Sequence, residues 1–435
     1  MSAIGGLPAS DSEDANRLEA EARNTVRQGH RSTSVSEFKR VVEADPKFTR
    51  AWLELAMVYL GMGQSDPALD ALRNAIKSSP QQLIPRKVYV SVLTFLHQTD
   101  AAIDAWREIA KIAPDDRHAI SGLGILLMEQ KRYGEALPYL ETTAQSDHSP
   151  AAQTRLSAAY LQAGQTEKGT ATLEKIVDAE PTAEVWNAVA FVLADANAAL
   201  PKALVYAQRA VDAQEKESHE IDLSHLVSEN LACTRKIGMF WDTLGWVHFR
   251  SGNLAQAEGY LNAAWFLLQD PVVADHLGQV YEQEKKTAKA IHMYRLALAT
   301  PEAKVPDGSW DETRHRLAQL TGTKAPTSME LLRADPNGNE LSQLRTVKLK
   351  RLLPGSATAE FFLLFGPGAK IENAEFISGS EKLRSAGQAL SEANFQVPFP
   401  EGSSARLVRR AVLMCSSVSG CNAVLFTPSS VDSVK

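Results

Sequence analysis

The sequence predicts an all-α repeat array followed by a small α+β domain, and three observations predict it. Prolines recur 34 residues apart, at Pro46, Pro80 and Pro114. Between them, apolar and small residues recur at the three- and four-residue spacing of helix faces. After residue 340 the pattern becomes the alternation that is typical of half-buried strands. A chain of 435 residues is too long for one ordinary core, which agrees with this division.

The repeat unit is clearest between Pro46 and Pro80, in the stretch AWLELAMVYLGMGQSDPALDALRNAIKSSP. Two sets of residues there are spaced as the apolar faces of two successive helices: Trp52, Leu55, Ala56 and Tyr59, then Ala68, Leu72 and Ala75. GMGQSD supplies the turn between the helices, and the small residues allow the helices to approach closely. Each unit is therefore predicted to be a helix–turn–helix, and the proline marks the start of the next unit.

This pattern resembles the tetratricopeptide repeat (TPR), whose signature is W-x2-L-G-x2-Y…A-x3-F…P. The stretches FWDTLGWVHFRSGNLAQAEGYLNAAW and DHLGQVYEQEKKTAKAIHMYRLALATP follow the signature most closely. The resemblance implies a solenoid of eight repeats, with the helix from Ser309 to Gly322 as a polar cap. The predicted organisation is a disordered segment at 1–14, repeats one to six at 15–212, and repeats seven and eight with the cap at 238–322.

One segment, 213–237, fits no repeat, and we expect either a long loop or one extra helix between the sixth and seventh units. It contains His219, His225 and Cys233. A metal site needs three or four converging ligands, and these residues do not have the spacing of such ligands. No metal is therefore predicted.

A TPR array implies a groove lined mainly by the first helix of each pair. The register nominates eight groove residues in the later repeats: Asn187, Phe191, Asp242, Trp246, Arg250, Asp275, Gln279 and Glu282. For Phe191 and Trp246, packing inside the repeats is the alternative. Some TPR domains grip a carboxylate with inward Lys, Arg and Asn, but only Lys87 fits that pattern here, so that activity is not expected.

No catalytic constellation is present in the sequence, and we expect no enzymatic activity and no cofactor. The histidines have no nucleophile or carboxylate at a motif spacing. The stretch Gly366-Pro367-Gly368-Ala369-Lys370 does not satisfy the phosphate-loop pattern, and it is predicted to be a hairpin turn. The expected function is a non-enzymatic scaffold that binds a protein or peptide.

Composition sets limits on the partners and on the compartment. The net charge of −6 does not indicate a nucleic-acid binder. No apolar run approaches the roughly 20 residues that span a bilayer, so direct membrane insertion is not expected. The start, MSAIGGLPASDSEDAN, lacks the features of a secretory signal. As written, the protein is expected in the cytoplasm; an incomplete N-terminus would favour the periplasm or cell envelope.

The C-terminal part is predicted to be a linker at 323–340 and an α+β domain at 341–435. The apparent strands are RTVKLKRL, AEFFLLF, KIENAEFI, RLVRRAVLMC and CNAVLFTP, with the helix EKLRSAGQALSEA after the third. The order is β-β-β-α-β-β. The stretch FLLFGPGAKIENAEFISGSEKLRSAGQALSEANFQVPFP resembles the C-terminal domain of TonB-type periplasmic proteins. That resemblance implies a small interaction module, which we expect to be a second contact surface.

The whole chain also resembles the C-terminal part of bacterial proteins that place a transglutaminase-like domain upstream of TPR repeats. The stretches WDTLGWVHFRSGNLAQAEGYLNAAWFLLQD and DHLGQVYEQ carry that resemblance. It implies an alternative function, as the substrate-presenting part or partner of such an enzyme. A further alternative is a cell-envelope assembly factor.

Two of the three cysteines, Cys415 and Cys421, flank SSVSG between the last two predicted strands. Facing positions in a hairpin come within disulfide reach, whereas two cysteines alone cannot form a structural zinc site. The spacing also differs from the C-x2-C of redox motifs. A hairpin disulfide and two buried thiols both remain open.

Overall fold

In a computed structural model of the chain, the described residues are 7–300, 310–324, 326–327, 330, 333, 339–349, 356–418 and 420–428. They form two compact units, which divide between residues 163 and 164.

The first unit is entirely helical among its described residues. Its helices are α1 Glu13–Arg27, α2 Arg31–Ala44, α3 Thr49–Gly61, α4 Ser65–Ser78, α5 Leu83–Phe95, α6 Thr99–Ile112, α7 Arg117–Glu129, α8 Tyr133–Ser146 and α9 Pro150–Gln162. Their apolar faces form a core in which Phe38, Leu53, Leu72 and Leu93 are buried. Burial of such faces stabilises short helices more than intrinsic propensity does.

The repeat period is visible in the backbone of this unit. The turn between the two helices of a pair contains a residue with positive φ, at Gly29, Gly63, His97 and Lys131, again 34 residues apart. Glycine adopts this left-handed conformation without strain, whereas a side chain makes it less favourable by about 1 kcal/mol. The register of the repeats therefore persists where the glycine itself has been replaced.

The disorder predicted for residues 1–14 is wrong for residues 7–14, and residues 1–6 lie outside the described part. Leu7 is buried, and its carbonyl accepts a hydrogen bond from Arg50 Nη1 at 3.1 Å. The Ser12 hydroxyl accepts from the Ala15 amide at 3.2 Å and caps α1. The segment is ordered because it packs on the first two repeats, which a reading of its polar composition could not anticipate.

The second unit continues the helical pattern. Its helices are α10 Thr166–Ala179, α11 Ala183–Asp195, α12 Leu200–Ser218, α13 Ser228–Arg250, α14 Leu254–Leu268, α15 Pro271–Gln283, α16 Thr287–Ala299, α17 Asp311–Thr321 and α18 Asn339–Leu344. Along the chain, α1 to α16 alternate as first and second helices of eight pairs, as predicted. Helix α17 lies where the cap is predicted, and it ends at Gly322 with a φ of 68°.

Close packing within the later pairs depends on glycine in the first helix. A Cβ on Gly245 would lie 2.7 Å from Leu261 Cγ, and one on Gly278 would lie 2.5 Å from Tyr294 Cε1. Neither distance leaves room for a side chain. The small residue of the repeat signature therefore sets the spacing between the two helices.

The predicted insertion at 213–237 is neither a long loop nor a separate helix. Helix α12 simply extends to Ser218, α13 begins early at Ser228, and only a short 3-10 turn, Leu223–His225, lies between them. The extensions bury the side chains of Gln214, Glu215, Ser218, Cys233 and Thr234. Sequence comparison with the repeat signature missed this, because the signature covers only the standard length of each helix.

The C-terminal region forms one antiparallel sheet. Its strands are β1 Thr346–Lys348, β2 Ala357–Gly366, β3 Lys370–Gly379, β4 Leu407–Ser416 and β5 Gly420–Leu425, in the spatial order β1-β5-β4-β2-β3. A 3-10 helix, Glu381–Ala386, and the short helix α19, Gly387–Ser391, follow β3, which gives the predicted β-β-β-α-β-β order. The turn Pro367–Ala369 joins β2 to β3 as a hairpin. The predicted linker at 323–340 and the second half of RTVKLKRL lie largely outside the described residues.

Strand β2 is buried on both faces. Phe361, Leu363 and Phe365 point to one side and Phe362 and Leu364 to the other, and all five are buried. A strand with both faces covered is expected to be a continuous apolar run, and FFLLF at 361–365 is one. Cys415 and Cys421 pair across β4 and β5, and a disulfide joins them.

The α+β domain attaches to the repeats through residues 403–408, which we call the docking strap. Three alternate amides of the strap donate hydrogen bonds to helix side chains: Ser404 N to Glu215 Oε2 at 2.8 Å, Arg406 N to Ser218 Oγ at 2.9 Å and Val408 N to Thr234 Oγ1 at 2.9 Å. The acceptors lie on the extended parts of α12 and α13. The extra turns of these helices thus serve as the platform for the sheet.

Candidate functional site

The candidate groove residues lie on three successive first helices of the second unit. Helix α11 carries Asn187 and Phe191, α13 carries Asp242, Trp246 and Arg250, and α15 carries Asp275, Gln279 and Glu282. Spacings of three and four residues keep the members of each set on one side of their helix.

The centre of this region is a pair of side chains, Asp242 and His276, which joins α13 to α15. His276 Nδ1 lies 3.0 Å from Asp242 Oδ1. The indole of Trp246 stacks on the imidazole, with ring centroids 4.0 Å apart and planes 15° from parallel. Sequence reasoning missed His276, because no motif spacing marks it and the residues it contacts, Asp242 and Trp246, come from the preceding repeat.

Three carboxylates act on the pKa of His276, those of Asp242, Asp275 and Asp195. Burial of the ring lowers its pKa, but the charge and hydrogen bond of Asp242 and the charges of the other two outweigh that effect. The net result is a pKa above the ordinary value of 6.5. Asp242 on α13 thus contacts the ring directly, and the charges of Asp195 on α11 and Asp275 on α15 favour the same protonated form, so groups from three consecutive repeats act on one side chain.

This raised pKa predicts a pH dependence of stability. A group whose pKa is higher in the folded state stabilises fully below the unfolded pKa, about 6.5 for histidine, and the contribution fades as pH rises through the folded pKa. The difference in Tm between wild type and His276→Gln should therefore be largest near pH 5.5 and shrink toward pH 9. Thermal unfolding across that range measures it, with His292→Gln, an exposed histidine on α16, as the control. A difference that stays constant or widens with pH would contradict the assignment.

Trp246 is only 5 % exposed, which favours the packing interpretation for this residue. Its ring also stacks on Phe249, with centroids 5.0 Å apart, and the Arg250 guanidinium lies 5.6 Å from the ring centroid. Asp242 is likewise largely buried, with 13 % of its side chain exposed. Substitution of either residue would disturb the packing of the repeats as well as any binding surface.

The carboxylates of α15 are held mostly by uncharged donors. Asp275 accepts hydrogen bonds from Gln279 Nε2 and Thr313 Oγ1, both at 2.7 Å. Glu282 accepts from the Tyr294 hydroxyl at 2.7 Å and lies 3.6 Å from Arg316 Nη1. Because neutral donors orient a carboxylate without cancelling its charge, Asp275 keeps its negative charge, whereas Arg316 partly offsets that of Glu282.

The part of the face that solvent reaches differs from the predicted set. Asn187, Phe191, Arg250, Asp275, Gln279 and Glu282 are half-buried, whereas Trp246 is buried. Asp195, at the end of α11, is exposed and joins the same carboxylate group around His276. We call Asp195, Asp242, Asp275 and Glu282 the carboxylate face. Phe191 provides an aromatic ring one turn before Asp195 on the same helix.

In the first unit, Lys87 has a partner of its own. Its Nζ lies 2.6 Å from Asp116 Oδ2. The same carboxylate caps α7 by accepting a hydrogen bond from the Ala119 amide through Oδ1 at 3.0 Å. The ion pair gives Lys87 a structural role at the start of a helix.

No group of three or more His, Cys, Asp or Glu side chains among the described residues is placed to hold a metal ion. None of the helices described is both long and apolar enough to cross a membrane.

Comparison with known families identifies the repeats. Models of the tetratricopeptide repeat match residues 19–82, 95–152 and 127–190. The chain is therefore a helical-repeat protein, and these stretches are TPR repeats. The matches end at residue 190, so the resemblances to TonB-type domains and to transglutaminase-like proteins stay predictions. A search of curated proteins finds no match.

Among solved structures, a tetratricopeptide repeat protein from Parabacteroides merdae is 12% identical, with a TM-score of 0.45, over 72% of this chain and 100% of its own. MamA from Desulfovibrio magneticus is 21% identical, with a TM-score of 0.34, over 41% of this chain and 98% of its own. YrrB, described as a TPR protein with an unusual peptide-binding site, is 16% identical, with a TM-score of 0.34, over 41% and 92%. These are similarities of this chain to those proteins.

Proposed function

We propose that the protein is a non-enzymatic interaction scaffold. Its carboxylate face binds an extended peptide segment that places a Lys or Arg beside an apolar side chain. TPR repeats support the general part of this proposal, because stacked helix pairs present long surfaces to peptides and proteins. The finer part rests on the chemistry of the face itself.

The observation that carries the proposal is the convergence of carboxylates from consecutive first helices. Asp242 on α13 lies 3.0 Å from the buried His276 of α15, and the charges of Asp275 on α15 and Asp195 on α11 act on the same ring. Neutral donors hold Asp275, and Asp195 is exposed to solvent. A cationic side chain is the complement of such a surface, and electrostatic complementarity contributes to specificity and association rate.

An aromatic neighbour supports the apolar half of the proposed ligand. Phe191 is half-buried on α11, one turn before Asp195. An aromatic ring next to a carboxylate can contact both the stem of a lysine and a flanking apolar residue. Asn187, a further turn along α11, has a buried side-chain oxygen, Oδ1, with no hydrogen-bond partner among the described residues. A peptide N–H is a suitable donor for that oxygen.

Selection from a random peptide library on the intact, immobilised protein tests this proposal. We expect enriched peptides to carry Lys or Arg next to an apolar residue. The double variant Asp195→Lys, Gln279→Lys should weaken the binding of a selected peptide at least about tenfold, or about 1.4 kcal/mol. Fluorescence anisotropy measures the change. Lysine at 279 can still donate to Asp275, so the fold is expected to remain intact.

The matched control makes the same change in charge on second helices. Asp178 on α10 and His292 on α16 are exposed, and Asp178→Lys, His292→Lys adds equivalent positive charge away from the face. This control should bind the selected peptide within about twofold of wild type. An equal loss of peptide affinity in both double variants would indicate a general effect of charge. Unchanged affinity in Asp195→Lys, Gln279→Lys would mean that the peptide binds elsewhere.

A further inference from the structure

Two arginines of the C-terminal region, Arg345 and Arg409, line one small cavity. The cavity lies between the end of α14, where Phe266 and Gln269 contribute, and the sheet, where Leu425 contributes. Every lining residue is uncharged except the two arginines. Gln396 is exposed and also lines the cavity, which places part of its wall at the surface.

Arg409 is 2 % exposed, although it carries a guanidinium group in the middle of β4. Its Nε donates to the Phe426 carbonyl at 3.0 Å, and Nη1 reaches the Phe266 carbonyl at 3.5 Å. Phe266 lies in the last turn of α14, whose free carbonyls carry partial negative charge. These contacts use carbonyl dipoles only. Burial, together with the charge of Arg345, lowers the pKa of Arg409 to about 9.

Arg345 adds a second positive charge to the same cavity. It follows α18, and its carbonyl accepts a hydrogen bond from the Leu425 amide at 3.0 Å, which fixes the backbone beside β5. Its Nε is buried and has no hydrogen-bond partner among the described residues. Burial lowers the pKa of this guanidinium as well. Arg345 as a whole is half-buried, so its guanidinium brings a second positive group, with that Nε, to the wall of the cavity that Arg409 lines. Two like charges at one cavity repel each other, and an anion between them would relieve that repulsion.

We propose that this cavity binds one small monovalent anion between Arg345 and Arg409. The cavity has room for one species of about the size of a water molecule. A halide fits this description, and so does a single oxygen of a small carboxylate such as formate. The bound anion would join the end of α14 to β4, and would therefore stabilise the attachment of the α+β domain to the repeats.

Thermal unfolding of the full chain in different sodium salts at equal ionic strength tests the proposal. Replacing methanesulfonate by chloride at 200 mM is expected to raise the Tm of wild type by about 3 °C. Arg345→Met should lose this anion-specific rise. Arg384→Met is the matched control, because Arg384 is exposed and pairs with Glu381 at 2.6 Å, and it should keep the rise. Formate distinguishes the two kinds of anion. A higher Tm in both formate and chloride indicates a site that accepts carboxylates. A higher Tm in chloride alone indicates a halide site.

Diffraction from wild-type crystals grown in bromide gives a second readout that does not depend on a variant. We expect an anomalous peak within hydrogen-bond distance of both guanidinium groups. Equal Tm values in chloride, formate and methanesulfonate would overturn the proposal. So would an unchanged anion dependence in Arg345→Met, or a cavity without a bromide peak.

Discussion

Replacing Trp241 with alanine is expected to lower the free energy of unfolding of the second unit by about 3–5 kcal/mol. The side chain is fully buried in α13. Its indole Nε1 donates to Glu215 Oε1 at 3.3 Å, and its ring meets Phe399 edge-on with centroids 5.9 Å apart. The substitution therefore removes packing within the repeat and packing against the α+β domain together. Thermal and urea unfolding monitored by circular dichroism measure the loss.

The matched control is Trp52→Ala in the first unit. Trp52 stands at the corresponding position of an earlier repeat, but it is only partly buried, and its Nε1 donates to the Pro46 carbonyl at 3.0 Å. We expect a loss of about 1–2 kcal/mol there. Equal losses in the two variants would mean that contacts with the α+β domain add nothing to the stability of the repeat at Trp241.

The repeats could be predicted from sequence because their signals are local. Proline spacing, small residues such as Gly245 and Gly278, and apolar spacing all act within one helix pair. The order of strands in the C-terminal region was also predictable, since alternation marks each strand. The strand that pairs with β1 could not be predicted, because a three-residue strand carries almost no pattern. Its partner, β5, lies about 75 residues further along the chain.

The candidate site was predictable only in part. The register placed Asp242 and Asp275 on successive first helices, as the structure has them. The register could not indicate that Trp246 is buried, or that three carboxylates act on His276. Both properties depend on the distance between helices of different repeats. The same limit applies to residues 213–237: Glu215 meets Ser404 across 189 positions of sequence, and no pattern within either segment reports the other.

The docking strap also changes how the two parts of the chain can be separated. A chain ending at Gly322 would uncover the buried platform of α12 and α13, including Trp241 and Thr234. If such a truncated chain failed to bind a partner, the cause would be either damage to the repeats or the loss of a contact surface on the α+β domain. A single substitution that loosens the strap is a cleaner way to ask what the α+β domain contributes.

Glu215→Ala is expected to loosen the docking strap by about 2–4 kcal/mol. The carboxylate is buried and accepts four hydrogen bonds: from Trp241 Nε1 at 3.3 Å, Ser403 Oγ at 2.7 Å, Ser404 N at 2.8 Å and Ser404 Oγ at 3.1 Å. Removing the acceptor leaves the buried indole N–H of Trp241 without a partner, and the donors of Ser403 and Ser404 lose a charged acceptor. Bonds to a charged group are also stronger than neutral ones.

Amide hydrogen exchange measures this effect at the residues concerned. A loosening of about 2 kcal/mol corresponds to about 30-fold faster exchange at Ser404, Arg406 and Val408. Glu217→Ala is the control, because Glu217 is exposed on the same helix, and it should leave those amides unchanged. A Thr234→Val variant should affect Val408 most, since only that amide donates to Thr234. Unchanged exchange in Glu215→Ala would mean that apolar packing around Trp241 and Phe399, and not the carboxylate, holds the strap.

The peptide selected on the carboxylate face is then tested on the Glu215→Ala variant. Retained binding would assign peptide recognition to the repeats alone.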